Sequence, residues 1–240
     1  MHNIDPETHL TIGAFIYDDM DQCDFTGPFE ALSRVPNSTF KSFAKDTGPV
    51  RDLYGLRFLP DLSLSQAPQL DVLLVPGGHG QEALMDDEEV IGFIRSQARH
   101  ARYIFSVCTG ALLCGAAGLL EGKRATTHWT AMGVLPLYGA IPVNDRVVVD
   151  GDLISTGGVT AGIDGSLVVV SMLRGVQSAQ EIQLYMAYDP QTSFTAGSPG
   201  TAPPDVLHTV TEHAKAITAR RMDAGRRYQA SSMHVVRTAH

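Results

Sequence analysis

The stretch Tyr103-Ile-Phe-Ser-Val-Cys108-Thr-Gly-Ala-Leu-Leu113 joins an apolar strand pattern to a helix of small residues. Cys108 lies where the strand pattern stops, and Gly110 allows a tight turn just after it. A nucleophile between a strand and a helix in this way is typical of a nucleophile elbow. The helix N-terminus is expected to lower the pKa of the Cys108 thiol and to favour the thiolate. The alternative is a small buried side chain without chemistry, since free cysteines are often buried.

Strand and helix patterns alternate along the rest of the chain, which is typical of an α/β sheet with helices on both faces. Strands are predicted at 9–17, 39–44, 70–75 and 103–107, and a hairpin around Gly151 joins 146–150 to 152–156. Helices are predicted at 29–35 after a cap at Thr26-Gly27-Pro28, then at 86–98, 109–120, 160–173, 178–188 and 205–228, with a frayed tail beyond. We therefore expect one domain.

Composition and charge limit the possible partners and the compartment. The chain of 240 residues carries 18 Lys and Arg against 26 Asp and Glu, with basic pairs only at Arg220-Arg221 and Arg226-Arg227. This balance argues against a nucleic-acid partner. No apolar run approaches the roughly 20 residues that cross a bilayer, and no signal peptide is visible. Three cysteines without metal-ligand spacing complete the picture of a reduced, cytoplasmic, soluble protein.

Asp24 and the segment Pro76-Gly77-Gly78-His79-Gly80 each follow a predicted strand. Ligands of parallel sheets collect beyond the carboxyl ends of the strands, so both should lie near Cys108. A carboxyl group beside a thiolate would have a raised pKa and could carry a proton to a substrate. Asp24 could equally form an Asx turn or a helix cap. Gly77 and Gly78 could bring backbone N–H groups close to a reacting atom, or form an ordinary turn.

The remaining candidates carry weaker signals. His128 in Thr126-Thr127-His128-Trp129 is a possible catalytic histidine, although a lone histidine is more often structural. Gly157-Gly158-Val159 leads into a helix and could form one wall of a pocket. Cys114, inside the small-residue helix, is predicted to be structural, and Cys23, in a predicted loop, is predicted to be inert.

In combination these motifs resemble the ThiJ/PfpI superfamily of class I glutamine-amidotransferase-like proteins over residues 10–205. The motifs that carry the resemblance are Asp24-Phe-Thr-Gly-Pro28, Val75-Pro-Gly-Gly78, Ser106-Val-Cys-Thr-Gly110, and the segments 123–129 and 156–164. Within the superfamily the match is closest to the isonitrile (isocyanide) hydratase subgroup. The runs 115–129 and 194–199 are similar to that subgroup.

The resemblance implies a flavodoxin-like three-layer sandwich, usually a homodimer, that needs no metal or organic cofactor. It implies a nucleophile at Cys108, an acidic partner at Asp24 and a matching residue at Thr109. The protease-like branch has a histidine directly after the cysteine, and Thr109 at that position argues against a Cys–His peptidase. We expect an N-terminal extension at 1–8, the α/β domain at 9–205, and a C-terminal helix and tail at 206–240 that pack on or extend this domain.

The activity that the resemblance implies is hydration of a small-molecule isocyanide to an N-formamide through a covalent cysteine thioimidate. Gly77, Gly78, His79, Gly157 and Val159 would bind the substrate or hold developing charge. One alternative is glyoxalase or deglycase chemistry without a cofactor, which uses the same cysteine and carboxyl pair. The other is a ligand-sensing or redox-sensing domain without enzymatic activity, the latter through oxidation of Cys108.

Overall fold

A seven-stranded sheet forms the centre of the molecule. The computed structural model describes the backbone of residues 4–238 and the side chains of residues 4–231; the ends of the predicted extension and tail lie outside this range. The strands described are β1 (Leu10–Phe15), β2 (Ser38–Ala44), β3 (Val50–Arg51), β4 (Arg57–Phe58), β5 (Leu62–Ser63), β6 (Val72–Val75), β7 (Tyr103–Val107), β8 (Arg124–Ala125), β9 (Ile141–Pro142), β10 (Val147–Asp150) and β11 (Leu153–Thr156).

The order of strands in the main sheet is β10-β11-β7-β6-β1-β2-β5. All neighbours are parallel except β10 and β11, which form the predicted hairpin with Gly151 at a φ of 66°. All four residues of β6 are fully buried, as expected where helices cover both faces of a parallel sheet. The predicted mostly parallel α/β sheet is therefore confirmed.

Helices cover both faces of this sheet. They are α1 (Gln22–Leu32), α2 (Gln81–Leu84), α3 (Glu88–Ala98), α4 (Gly110–Ala116), α5 (Ala161–Tyr185) and α6 (Pro204–Thr238). The connection from β1 to β2 runs towards one edge of the sheet, and the connection from β6 to β7 runs towards the opposite edge. Because both connections are right-handed, their helices α1 and α3 lie on opposite faces of the sheet. Helix α5 packs on α1, and α4 packs on α3. The result is the predicted three-layer sandwich.

The start of α1 differs from the prediction, and the difference moves Asp24. The predicted cap at Thr26-Gly27-Pro28 is wrong, because Asp21 caps the helix by accepting a hydrogen bond from the Cys23 amide at 3.1 Å. Pro28 lies inside the helix, which starts well before it. Asp24 and Cys23 are therefore in the first helical turn and not in a loop.

The C-terminal half shows smaller differences. Helix α4 ends at Ala116, before the predicted end, because Gly118 has a φ of 79°. The two helices predicted at 160–173 and 178–188 are confirmed, because the segment labelled α5 consists of two helices separated at Gly175, where φ is 87° and ψ is 164°. Helix α6 continues to Thr238, past the end predicted at residue 228. No helix in the described part of the chain has both the length and the hydropathy to cross a bilayer.

A ten-residue 3₁₀ helix at Trp129–Tyr138 has no counterpart in the sequence prediction. It contains Pro136 and ends at Gly139, which has a φ of 73°. Helix α6 packs on this segment, so the C-terminal helix lies at the same end of the molecule as the motif around His128. The two together cover the carboxyl ends of the central strands.

Candidate active site

Cys108 occupies a strained turn between β7 and α4. Its φ is 55°, in the left-handed region that residues with a side chain seldom adopt, which is the geometry of a nucleophile elbow. The Cys108 amide donates to the Thr156 carbonyl at 3.0 Å, and the Thr127 hydroxyl donates to the Cys108 carbonyl at 2.8 Å. A side chain at Gly110 would overlap the Val75 carbonyl oxygen. These contacts keep the turn in place despite its strain.

Asp24 is fully buried beside Cys108, although it comes from the opposite layer of the fold. Its Oδ2 accepts a hydrogen bond from the Gly77 amide at 2.9 Å, while Oδ1 is buried without a hydrogen-bond partner among the described residues. Burial, and then the charge of Asp21, raise the pKa of Asp24 to about 8, although hydrogen bonding by the Gly77 amide and by the Cys108 thiol acts to lower it. Asp24 can thus gain or lose a proton near neutral pH.

The pKa of the Cys108 thiol is raised in the structure, whereas the sequence predicts that it is lowered. Burial, and then the negative charge of Asp24, raise the pKa of the Cys108 thiol well above its usual value. The Thr109 amide and Arg221 lower this pKa, but they do not outweigh burial. The expected fall in pKa from the helix N-terminus is therefore wrong as a net effect. Because a charged Asp24 disfavours the thiolate, the thiolate becomes accessible when Asp24 holds the proton.

The glycine pair after β6 lies close to Cys108 and Asp24, but its two N–H groups already donate hydrogen bonds within the protein. The Gly77 amide donates to Asp24, and the Gly78 amide donates to the Thr109 hydroxyl at 3.1 Å. The expectation that these amides form an oxyanion-type hole is therefore corrected, since each already has an acceptor within the protein. A Cβ on Gly77 would lie 2.8 Å from Asp24 Oδ2, which explains why this position has no side chain.

A cavity of about 350 Å³ opens onto the Cys108 side chain. Of the predicted residues, it is lined by Gly78, His79, Cys108, Thr109, His128 and Val159. Asp24, Gly77 and Gly157 do not line it. Asp24 and Gly77 lie behind the cysteine, and the Gly157 amide donates to the Arg146 carbonyl at 3.0 Å. A ligand in the cavity would touch the thiol, and Asp24 would act on it from the protein side.

His128 caps the 3₁₀ helix and also forms part of the cavity wall. Its Nδ1 lies 2.8 Å from the Thr130 hydroxyl, and it also accepts from the Thr130 amide at 3.4 Å. Burial, and then the charge of Arg221, lower the pKa of His128 to about 4. Burial, Arg221 and Arg220 lower the pKa of His79 as well. Both rings are therefore neutral near pH 7.

The C-terminal helix α6 supplies residues to the site that sequence reasoning missed. Val210, Ala214, Ile217 and Arg221 line the cavity from one face of this helix. The signal was present in the sequence, because this spacing repeats with the helical period. Arg221 reaches deepest: its Nη2 donates to the Gly78 carbonyl at 2.8 Å and its Nε donates to Gln81 Oε1 at 3.0 Å.

The other two cysteines lie away from the cavity. Cys114 is fully buried inside α4, where burial raises the pKa of its thiol to about 12. Cys23 is half-buried in α1, and burial followed by the charges of Asp21 and Asp24 raises the pKa of its thiol. Neither side chain lines the cavity beside Cys108.

Comparison with known proteins gives a consistent picture. The family model described as "DJ-1/PfpI family" matches residues 11–172. The chain is 48% identical over 205 residues to the isonitrile hydratase of Pseudomonas putida. The aligned residues make up 85% of this chain and 90% of that protein.

Solved structures agree in fold. A ThiJ/PfpI family protein from Pseudomonas syringae superposes with a TM-score of 0.89 at 36% identity, over 91% of both chains. DJ-1beta from Drosophila melanogaster superposes with a TM-score of 0.70 at 22% identity, over 76% of this chain and 100% of that one, and supports the fold alone. The matched family region contains β2 to β11, all of β1 except its first residue, the elbow and Asp24. The chain belongs to the DJ-1/PfpI family.

Proposed function

We propose that this protein is an isocyanide hydratase, which adds water to R–N≡C and releases an N-formamide. The observation that carries the proposal is the pair formed by Cys108, exposed to the cavity, and Asp24, buried behind it with a pKa raised to about 8. The likeness to the Pseudomonas putida isonitrile hydratase over most of both chains supports the same reaction. Thr109 after the cysteine argues against a Cys–His peptidase.

The first half of the reaction forms a carbon–sulfur bond. Asp24 accepts the thiol proton of Cys108, and the sulfur attacks the terminal carbon of the isocyanide, which is electrophilic. Asp24 then returns the proton to that carbon, so that the product is a thioimidate, R–N=CH–S–Cys. No net charge is created. A carboxyl group that titrates near neutral pH is suited to moving the proton in both directions.

The second half of the reaction consumes one water. Water adds to the thioimidate carbon, its oxygen forming the new C–O bond and one proton passing to nitrogen, which gives R–NH–CH(OH)–S–Cys. The hydroxyl of Thr109, which lines the cavity, would position this water. The C–S bond then breaks, the hydroxyl proton returns to sulfur through Asp24, and R–NH–CHO leaves. The sum is isocyanide plus water giving formamide.

The walls of the cavity favour a small apolar R group. Val159 on one side and Val210, Ala214 and Ile217 from α6 on the other leave about 350 Å³ above the thiol. The pKa of both His79 and His128 is lowered, so these rings add no positive charge near pH 7. The apolar part of the wall would hold the R group of an uncharged alkyl or aryl isocyanide, while Asp21 and Arg221 make another part of the cavity polar.

The test is to incubate the purified protein with an alkyl isocyanide and to follow the N-formamide by mass spectrometry or NMR, with Cys108→Ala as the matched variant. We expect product from the wild type and none from the variant. Product from both would remove Cys108 from the mechanism.

Absence of product from a folded wild-type protein, with a Cys108 that is still alkylated, would reject the hydratase activity. Turnover of methylglyoxal would then indicate carbonyl chemistry. A stable complex or an oxidised Cys108 without turnover would indicate sensing. A homodimer, implied by the family resemblance, and a cytoplasmic location, indicated by the composition, are further proposals, and analytical ultracentrifugation and cell fractionation test them.

A further inference from the structure

Arg221 is a buried cation without an acidic partner among the residues that the structure describes. Its side chain is 3% exposed, and no ion pair joins it to a carboxylate among the described residues. Its neighbour Arg220 is exposed and forms an ion pair with Glu82 at 3.1 Å. Burying a guanidinium without a counter-charge is costly, so Arg221 needs an anion nearby in some state of the protein.

The hydrogen bonds of Arg221 aim the guanidinium at the elbow. Nη2 contacts the Gly78 carbonyl at 2.8 Å and the Thr109 hydroxyl at 3.4 Å, and Nε donates to Gln81 Oε1 at 3.0 Å. All three acceptors are neutral. Gln81 is itself fully buried, and its Nε2 has no partner among the described residues, so it is held there chiefly as an acceptor for Arg221.

We propose that Arg221 is a positioning residue that supplies the counter-charge for the negative charge shared by Cys108 and Asp24. The proposal rests on the proposed function in taking Cys108 as the nucleophile. Arg221 lies against Thr109, the residue directly after Cys108, and lines the same cavity as the thiol. It would favour the thiolate before attack and during collapse, when the sulfur leaves as an anion.

The other charged and titratable groups around the thiol do not replace Arg221. Burial lowers the pKa of Arg221, and Cys108 is the first of the charges that oppose this fall. The groups that face the elbow from the packed elements are Tyr17, Asp21, Asp24, His79, His128 and His213. The acidic groups raise the pKa of the thiol, and Arg221 is the cation among the described residues that acts to lower it.

The experiment measures Cys108 without any isocyanide. The rate of its alkylation by iodoacetamide is followed against pH by mass spectrometry in the wild type and in Arg221→Gln, Arg221→Lys and Arg220→Gln, with folding checked by circular dichroism. Gln retains a hydrogen-bond donor at residue 221 but removes the charge, and Lys retains the charge. Arg220→Gln is the matched control, because it removes an adjacent cation from the surface.

We expect Arg221→Gln to raise the midpoint of the alkylation profile by about one pH unit or more, because an opposite charge nearby shifts a pKa by about 1–3 units. Arg221→Lys should remain near the wild type, and Arg220→Gln should match it. A wild-type midpoint in folded Arg221→Gln, or equal shifts in the Gln and Lys variants, would overturn the proposal.

Gln81→Glu gives a second test that leaves Arg221 in place, and it decides the question where Arg221→Gln does not fold. A carboxylate at residue 81 would pair with the guanidinium and also raise the midpoint, whereas an unchanged midpoint would contradict the proposal. Because the readout is alkylation, these results are independent of isocyanide turnover. A shifted profile in a protein that makes no formamide would reject the hydratase activity and retain the role of Arg221.

Discussion

The two cysteines nearest to helix α4 have different surroundings. Cys108, in the turn before the helix, and Cys114, within it, are both buried, and burial raises the pKa of both thiols. Cys108 opens onto a cavity and has the Asp24 carboxyl and the Arg221 guanidinium nearby. Cys114 has no charged group acting on it, and its pKa is about 12 through burial alone.

Burial raises the pKa of both thiols, so burial by itself does not separate the proposed nucleophile from the thiol of Cys114. At Cys108 the carboxyl group of Asp24 can accept the thiol proton, and the guanidinium of Arg221 offsets the negative charge that remains. At Cys114 nothing accepts the proton. The backbone differs between the two cysteines as well. It is strained at Cys108, where φ is 55°, and it is regular helix at Cys114.

The largest expected effect separates the two thiols directly. Cys108→Ser replaces the sulfur by a poor nucleophile and should lower the rate of formamide formation by on the order of 10⁴-fold or more. Cys114→Ala should leave the rate of the folded enzyme unchanged and lower its stability by about 1 kcal/mol. Steady-state kinetics and thermal unfolding of both variants check this. Comparable loss of rate in Cys114→Ala would break the comparison.

The second effect concerns the proton acceptor that Cys114 lacks. Asp24→Asn keeps the shape but removes the exchangeable proton, and should lower kcat/KM by about 10³-fold. In the wild type, kcat/KM should rise as the pH rises through about 8, because Asp24 must be ionised to accept the thiol proton.

Asp21→Asn is the control for this pH profile. Asn still caps a helix, but loss of the Asp21 charge lowers the pKa of Asp24. The profile should move to lower pH with its plateau retained. A profile in Asp21→Asn that coincides with the wild type would mean that a group other than Asp24 controls the rate.

The third prediction compares two glycines, one beside each cysteine. Gly77→Ala would place a Cβ 2.5 Å from the Thr109 backbone nitrogen and 2.8 Å from Asp24 Oδ2, so both the elbow and the carboxyl would have to shift, which should cost about 10²-fold in rate. Gly115→Ala would place a Cβ 2.6 Å from the Tyr138 ring and should cost roughly 1–3 kcal/mol of stability with little loss of rate. Chemical denaturation and kinetics on both variants separate the effects, and a reversed pattern would contradict the assignment.

The fourth prediction concerns the pH dependence of stability. The pKa of Asp24 is about 8 in the folded protein and about 3.8 when unfolded, so the folded state holds the extra proton between these values. The free energy of unfolding should therefore fall as the pH rises from about 4 to about 8, by roughly a few kcal/mol relative to Asp24→Asn. Unfolding by urea at several pH values measures this, and parallel curves for the two proteins would contradict a raised pKa.

Much of the fold could be predicted because its signals are local. The strand at 103–107 has the predicted bounds, since burial on both faces gives an apolar run. The helix predicted at 86–98 ends at Ala98 as predicted and begins at Glu88, directly after Asp87, which caps it. The start of α1 could not be predicted in this way. Both Asp21 and Thr26 can cap a helix, and Pro28 suits a first turn better than the interior position that it occupies.

The sequence by itself determined the sheet, the elbow at Cys108 and the nearness of Asp24, because these follow from strand patterns and from the ends of parallel strands. Only the tertiary structure decided that the Gly77 amide bonds to Asp24, that the pKa of Cys108 is raised, and that Arg221 and Gln81 complete the site. Arg221 lies far along the chain from Cys108. Its role depends on which face of α6 packs over the cavity, and charge and burial act through space, so no local pattern reveals them.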